Sequence, residues 1–573
     1  MSVKNADIDY STYSHADLLK RITDLETRLQ LLHAKHAAHA AAPPILSKKK
    51  IKKVAKPFDA SKYNTRAIAL KFAYLGSNYN GFEHHSNNKT PLPTIEEVLW
   101  RALRKTKLIF PDFRRVGGNE EEICWDGTEY SKCGRTDRGV SAFGQVIGLR
   151  VRSSRPKPTS ITGSHEQNGG NEAASSEFEA RFHRTLDRGM RTDGVEPEVG
   201  IEDHKISGWD PVRDELPYIQ LLNRVLPPDI RILAWCPYTP PDFSARFNCK
   251  ERRYRYFFTN PAYASAPGSE GRLDILAMER AAKKYEGLHD FRNFCKIDPS
   301  KQISNFERRI FHAGIHKVKH TLPNMSNTSA ESNEDEQSHA IRSLSEPELY
   351  YFEVRGSAFL WHQVRHLVAI LFLIGQHYEV PELVDKLLDI DNCPRRPTYD
   401  MASDTPLVLW DCIFPDLERA TRTDHSSNGT NNDEYEDALE WIHVSEDTTD
   451  SESTKRTMKK VDDGMYGANG IVNELWAQWR RRKVDEVLAA SLMELVVWPH
   501  KGRILQASAT ENPAPGEVIA EGRVFDGGDR LRMVGRYIPV MQRERMESPE
   551  VVNARYAARK SLSGRCSRGA DAE

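Results

Sequence analysis

No stretch of this 573-residue chain approaches the ~18 consecutive apolar residues that a membrane-spanning helix needs, so a membrane partner is not expected. The eight cysteines, at 124, 133, 236, 249, 295, 393, 412 and 566, include no C-x-x-C pair. That scatter argues against a zinc site or a disulfide framework and fits a reducing compartment. Neither a glycine-rich nucleotide-binding loop nor a metal-ligand motif stands out, so neither a cofactor nor a metal is expected. The N-terminus is polar and carries Asp7 and Asp9 early, unlike a signal or transit peptide. Net charge is also lacking, at -1 overall. The balance hides segregation, with basic residues in apolar-rich segments and acidic ones in polar inserts, so it does not speak against a nucleic-acid partner.

The polar inserts divide the chain. Residues 154–207, 322–346 and 418–465 are rich in Ser, Gly, Glu and Asn or in acidic residues and lack helical or strand period, which reads as disordered insertion. Before them, residues 14–37 read as an amphipathic helix, with Ser14 and Asp17 at capping-box spacing and Leu18, Ile22, Leu25, Leu29 and Leu32 on one stripe. Lysines from Lys48 to Lys56 follow; they suit a nuclear-import signal, a nucleic-acid contact or a solvated linker alike. After the last insert, a helix is expected from Val472 to about Leu495 and a frayed tail from Glu547.

Ahead of the first insert, the stretch SKCGRTDRGVSAFGQVIGLRV (131–151) is the one the rest is organised around. Its glycines permit close backbone approach, and its end alternates as a strand. Asp137, on a glycine-framed loop before that strand, is a candidate nucleophile or general base. An Asp-x-Gly turn with Arg135 paired to Asp137 on the surface is the plainer alternative. Ile68, Leu70 and Phe72 alternate as a strand leading to YLGSNYNGF (74–82), and Thr94 with Glu97 opens a helix whose outer face carries Arg101, Arg104 and Lys105.

In FSARFNCKERRYRYFFTN (243–260), alternation places Arg252, Tyr254, Tyr256 and Phe258 on one face and Arg253, Arg255 and Phe257 on the other. Interleaved arginines and rings suit RNA phosphates and unpaired bases; an aromatic core face with an arginine-rich outer face suits the pattern equally. SAFLWHQVRHLVAILFLIG (357–375) is the most apolar helix of the chain, and Arg365 inside it should find a carboxylate if buried.

Four of these pieces fall in one order: YLGSNYNGF, CGRTDRGVSAFGQV, DFSARFNCKERRYRYFF and GSAFLWHQVRH, closed by TPLVLW near 405. Together they resemble the TruA family of tRNA pseudouridine synthases. FRNFCKID, HLVAILFLIGQ and MQRERMESPEVVN (541–553) resemble its eukaryotic 38/39-modifying branch.

The resemblance implies an α+β fold of two α/β domains with antiparallel sheets joined around a basic cleft. Assigned to this chain, the regions are 1–63 (helix and basic linker), 64–262 (catalytic domain), 263–416 (second domain), 417–466 (acidic disordered insertion) and 467–573 (helical extension). It implies isomerisation of uridine to pseudouridine in the anticodon stem-loop, a tRNA partner, a homodimer, and work in nucleus and cytoplasm. By the same resemblance Asp137 is the catalytic carboxylate, Tyr254 the active-site tyrosine, Arg365 the arginine that salt-bridges Asp137, and Arg135 the loop arginine that holds the opened RNA. Arg246, Arg253 and Arg255 join Arg135 and Tyr254 as substrate-binding residues, with the basic residues of 101–115 on tRNA phosphates. A non-catalytic RNA binder on the same scaffold, a synthase acting on other tRNA or small nuclear RNA uridines, and a glycoside hydrolase are the rival readings. The last would want a second carboxylate among the matched motifs.

Overall fold

In the computed structural model the described residues are 58–86, 90–116, 122–157, 209–264, 271–318, 347–416, 436–444, 465, 470–497 and 522–569, with Lys20, Thr23, Asp24, Glu26 and Thr27 before them. Those five are helical, but most of the helix expected over 14–37 lies outside the described residues, as do 158–208 and 319–346. The chain divides into two units, Met1–Ala60 and Ser61–Glu573, and every described strand belongs to the second.

In chain order the second unit runs β1 (Asn64–Tyr74), α1 (Ile95–Lys105), β2 (Ser131–Lys132), β3 (Ser141–Ser153), α2 (Tyr218–Asn223), β4 (Ile230–Cys236) and β5 (Glu251–Asn260). Then come α3 (Ile275–Lys283), β6 (Gly287–Asp290), β7 (Glu307–Lys317), β8 (Glu348–Gly356), α4 (Gln363–Gly375), α5 (Leu383–Leu388) and β9 (Leu407–Ile413). β10 (Ile442–His443), α6 (Ile471–Val497), β11 (Gly522–Val524), β12 (Arg532–Val534) and α7 (Pro549–Gly569) complete it. α1 starts as its sequence directs: Thr94 and Glu97 form the reciprocal capping box, each side chain taking the other's backbone N–H.

One ten-stranded sheet organises the unit, in the order β10-β4-β1-β3-β9-β5-β8-β7-β6, with β2 also on β3. Two antiparallel halves meet at the parallel pair β3–β9, through Ser141↔Val408 and Ala142↔Leu409. Each half has its own core. Ile68, Phe72, Leu99, Trp100, Ile147 and Trp235 centre one; Tyr256, Phe294, Phe352, Ile370 and Phe372 centre the other. Tyr254 packs against both. α4 is buried along all thirteen residues, so it works as a core element rather than an amphipathic cover.

Three expectations about organisation change. β5 pairs with β8 along its length and with β9, so a boundary at 262 assigns it to the wrong half; the seam runs between β3 and β9. The acidic segment 417–466 contains an ordered piece, because Ile442 and His443 add an edge strand to β4 and Asp437 accepts the Trp441 indole N–H at 2.8 Å. The C-terminal extension is not only helical. Val524 and Phe525, at the hairpin β11–β12, join the second core, where Phe525 exchanges backbone hydrogen bonds with the Gln376 side chain.

The free ends of β1 and β3 are fastened by Glu215. Its buried carboxylate accepts from Ser153 Oγ (2.6 Å), the amides of Ser154 and Leu216 (2.8 and 2.9 Å) and Arg66 Nη1 (3.2 Å). Burial alone would raise the Glu215 pKa, but these donors outweigh it and hold the group below the ordinary glutamate value. A carboxylate depressed in the folded state stabilises the fold above its unfolded pKa, and that stability is lost as pH falls through the folded value. Urea midpoints should therefore fall on acidification, and Glu215→Gln, already weaker at neutral pH, should show a shallower acid branch. Parallel acid branches for the two proteins would refute the linkage.

Candidate active site

The loop between β2 and β3 is held from both sides before any ligand arrives. Gly134 exchanges both of its backbone hydrogen bonds with the fully buried Gln145 side chain (3.1 and 3.0 Å). Thr136 Oγ1 lies 2.7 Å from the Tyr74 hydroxyl, and its carbonyl accepts from Phe82 N at 3.0 Å. The YLGSNYNGF segment explains itself here. A Cβ on Gly76 would stand 2.1 Å from the Val140 carbonyl oxygen, and one on Gly81, at φ +82°, 2.9 Å from the Thr136 carbonyl. Both glycines let a neighbouring backbone press against the Asp137 loop. Gly76→Ala should displace the loop and lower kcat/KM about 100-fold, the typical loss for an ~1 Å misplacement, in a protein whose circular dichroism is unchanged.

Asp137 emerges from this loop with its side chain about 30% exposed, so a substrate can reach it. One carboxylate oxygen takes the indole N–H of Trp361 at 3.3 Å, and the other lies 3.2 Å from His362 Nε2. Both partners come from the turn that opens α4. His362 occupies the N-cap in a left-handed conformation (φ +61°), and the Gln363 side chain reaches back to Leu360 N at 2.8 Å. Donation to a carboxylate requires a proton on Nε2, and Nδ1 is buried with no hydrogen-bond partner among the described residues. Lys296 and Lys301 sit 4.8 and 5.8 Å from the Trp361 ring centre, putting positive charge beside the carboxylate's partner.

Tyr254 reaches the same turn, its ring edge-on to Phe359 with centroids 5.0 Å apart. Burial pushes its phenol far above the usual range, so it stands as a neutral hydroxyl. Arg135 is exposed on the loop and pairs with Glu83 at 3.1 Å. Arg246 is exposed, and its carbonyl is tied by Arg252 Nη2, which also binds the carbonyl of Cys133 at the root of the Asp137 loop.

Two site expectations are corrected. Arg365 does not pair with Asp137: its Nε donates to the Ala402 carbonyl at 2.7 Å and its Nη1 lies 3.9 Å from Asp404 Oδ2. The physical reason is helical position. Asp137 is served by residues at the mouth of α4, whereas Arg365, one turn further in, meets the segment that leads to β9. The link to the loop is indirect, through Asp404, whose Oδ1 stands 3.1 Å from where a Gly139 Cβ would be. Arg365→Met should leave the Ala402 carbonyl and Asp404 without their donor, costing about 1–3 kcal/mol in urea unfolding, and should also lower turnover. An unchanged unfolding midpoint would contradict this.

The second correction concerns Arg253 and Arg255, which lie across the sheet from Tyr254 and do not join its site. Arg253 pairs with Glu251 at 2.6 Å; Arg255 pairs with Glu353 at 2.7 Å and lies over the rings of Trp410 and Tyr351. Tyr256 and Phe258 are core residues against Phe372, so most of the alternating rings serve packing. His362, Trp361 and Asp404 are site residues that the sequence reading misses. The first two lie inside GSAFLWHQVRH, where a polar residue opening so apolar a helix is the available signal.

This arrangement, a reachable carboxylate on a glycine-pressed loop facing a histidine–tryptophan turn at the join of two sheet halves, can be set beside known proteins. A family model described as tRNA pseudouridine synthase matches residues 281–415. The chain belongs to the TruA family of tRNA pseudouridine synthases. Its likeness lies with the eukaryotic branch. It is 36% identical over 425 residues to the tRNA pseudouridine(38/39) synthase of Saccharomyces cerevisiae, covering 73% of this chain and 74% of that protein. To the Homo sapiens protein of the same name it is 38% identical over 403 residues, 70% of this chain and 66% of that one. An archaeal tRNA pseudouridine synthase A, from Methanothrix thermoacetophila, is 26% identical over 354 residues, 61% of this chain and 84% of that protein.

Proposed function

We propose that the protein isomerises uridine to pseudouridine in the anticodon stem-loop of tRNA, at positions 38 and 39, with Asp137 as the catalytic carboxylate. The observation that carries this is Asp137 itself, partly exposed between Trp361 and His362 in a chain related to synthases of that name. The reaction breaks the bond from ribose C1′ to uracil N1, turns the base, joins C1′ to C5 and removes the C5 proton. An ionised carboxylate beside the sugar acts as nucleophile at C1′ or as the base that starts cleavage. Trp361 and His362 orient it. The partly buried, neutral Tyr254 offers a ring to stack on uracil and a hydroxyl near the proton transfer. Arg135 braces the RNA once the base has left the stack, and exposed Arg246 with Lys296 and Lys301 neutralise phosphates in a basic cleft along the seam of the two sheet halves.

The test is purified protein with anticodon stem-loop transcripts carrying uridine at 38, at 39, at both or at neither. Pseudouridine should form at 38 and 39 alone. Modification confined to other positions would move the chain to a different specificity, and none on any tRNA would leave an RNA-binding scaffold.

A further inference from the structure

Three of the eight cysteines, remote in sequence, meet beneath the Asp137 loop. Cys133 opens the loop, Cys249 lies just before β5, and Cys412 is on β9. All three are buried, and their sulfur atoms lie within 4.8 Å of one another. Beside them stands Arg252, whose guanidinium binds the carbonyls of Ser357 (2.8 Å), Arg246 (2.9 Å), Cys133 (3.2 Å) and Cys249 (3.4 Å). Among its described partners no carboxylate appears. A cation withdrawn from water without a counter-charge is destabilising. An anionic sulfur cluster alongside is the compensation this site can offer.

We propose that Cys133, Cys249 and Cys412 bind one thiophilic d10 cation, Zn2+ or Cu+, and that this ion fastens the Asp137 loop to β5 and β9. Sulfurs bound at about 2.3 Å stand roughly 3.8–4.0 Å apart, so small side-chain rotations from the observed spacing suffice. The charges close as well. Binding Zn2+ releases three protons from the three thiols and leaves a cluster of charge −1, which Arg252 neutralises. With Cu+, three thiolates complete the trigonal shell that soft sulfur favours and leave a cluster of charge −2, which Arg252 reduces to −1. With Zn2+, a fourth position remains for water or a backbone carbonyl. The missing C-x-x-C spacing does not bear on this site, because its ligands come from three separate strands and loops.

The experiment uses full-length protein, reduced and stripped with chelator under anaerobic conditions, then given Zn2+ or Cu+ in separate titrations. Native mass spectrometry should show one ion bound, and the melting temperature should rise with it. Alkylation followed by peptide mapping should show Cys133, Cys249 and Cys412 protected by the ion while Cys124 and Cys236 are labelled at unchanged rates, a reading that needs no variant. Cys133→Ser, Cys249→Ser and Cys412→Ser should each weaken binding at least 100-fold, and Cys295→Ser should not. The proposal is overturned if neither ion binds at one equivalent, if protection falls on other cysteines, or if two of the trio form a disulfide in air and the reduced protein takes up no metal. None of these readings depends on RNA modification, so failure here leaves the proposed function standing.

Discussion

Asp137→Asn should abolish pseudouridine formation while tRNA binding remains within a few-fold of wild type. The asparagine keeps the side chain's size, and its oxygen can still accept from Trp361 Nε1 or His362 Nε2, so the loop that Gln145, Tyr74 and Gly76 hold in place need not move. What it lacks is the negative charge that, in the proposed reaction, attacks or deprotonates the sugar. Removing a nucleophile that acts as a unit with its neighbours typically lowers turnover by about 10⁴-fold or more. Affinity for tRNA rests mainly on phosphate contacts, which the substitution does not touch. Single-turnover assays beside filter binding at two salt concentrations separate the effects. Turnover of the Asn variant within tenfold of wild type would take the central role away from this carboxylate. His362→Gln gives the companion reading: its amide retains a donor near Oδ2, so it should reduce the rate less than Asp137→Asn.

Part of this site is legible in the residues alone. Asp137 alone reads as easily as an ordinary Asp-x-Gly turn, and it becomes a candidate through the ordered set of motifs around it, whereas the capping box at Thr94 and Glu97 is local enough to read directly. Arg365 reads rightly as a buried cation in need of a partner, but a sequence gives the need and not the direction. Whether its guanidinium turns toward Asp137 or toward Asp404 depends on how α4 crosses the segment before β9, a tertiary fact. Strand alternation puts Arg253 and Arg255 opposite Tyr254, yet family likeness groups all three as substrate residues. The period-two pattern is the better guide, since a sheet separates its faces absolutely. The ordered edge strand at Ile442 is hidden by its acidic, polar surroundings, which dilute the apolar character of the segment without preventing two residues from completing a sheet edge.

The largest loss of stability should follow Glu251→Ala, on the face of β5 away from Tyr254. Glu251 is fully buried; its Oε1 accepts from Arg355 Nε at 2.8 Å and Arg253 Nε at 2.6 Å, and its Oε2 lies 3.3 Å from Arg355 Nη2. Arg355 is itself buried on β8, paired across to Arg253, so the carboxylate of Glu251 ties β5 to β8 near the middle of the sheet, while its backbone stands opposite Ile413 on β9. Truncation takes this carboxylate away from the buried Arg355 guanidinium, and breaking such a pair costs about 3–5 kcal/mol, a large part of the ~5–15 kcal/mol that holds an ordinary domain together. Much of the cost lies in keeping the Arg355 charge buried without this carboxylate, so Glu251→Met combined with Arg355→Met should recover a large part of it. Chemical denaturation of the two single variants and the double one measures the coupling. Additive losses would show that the two side chains act independently. Because Asp137, Trp361 and His362 take no contact from this carboxylate, specific activity per folded Glu251→Ala molecule should stay near wild type below its lowered melting temperature, the reverse of the signature expected for Asp137→Asn.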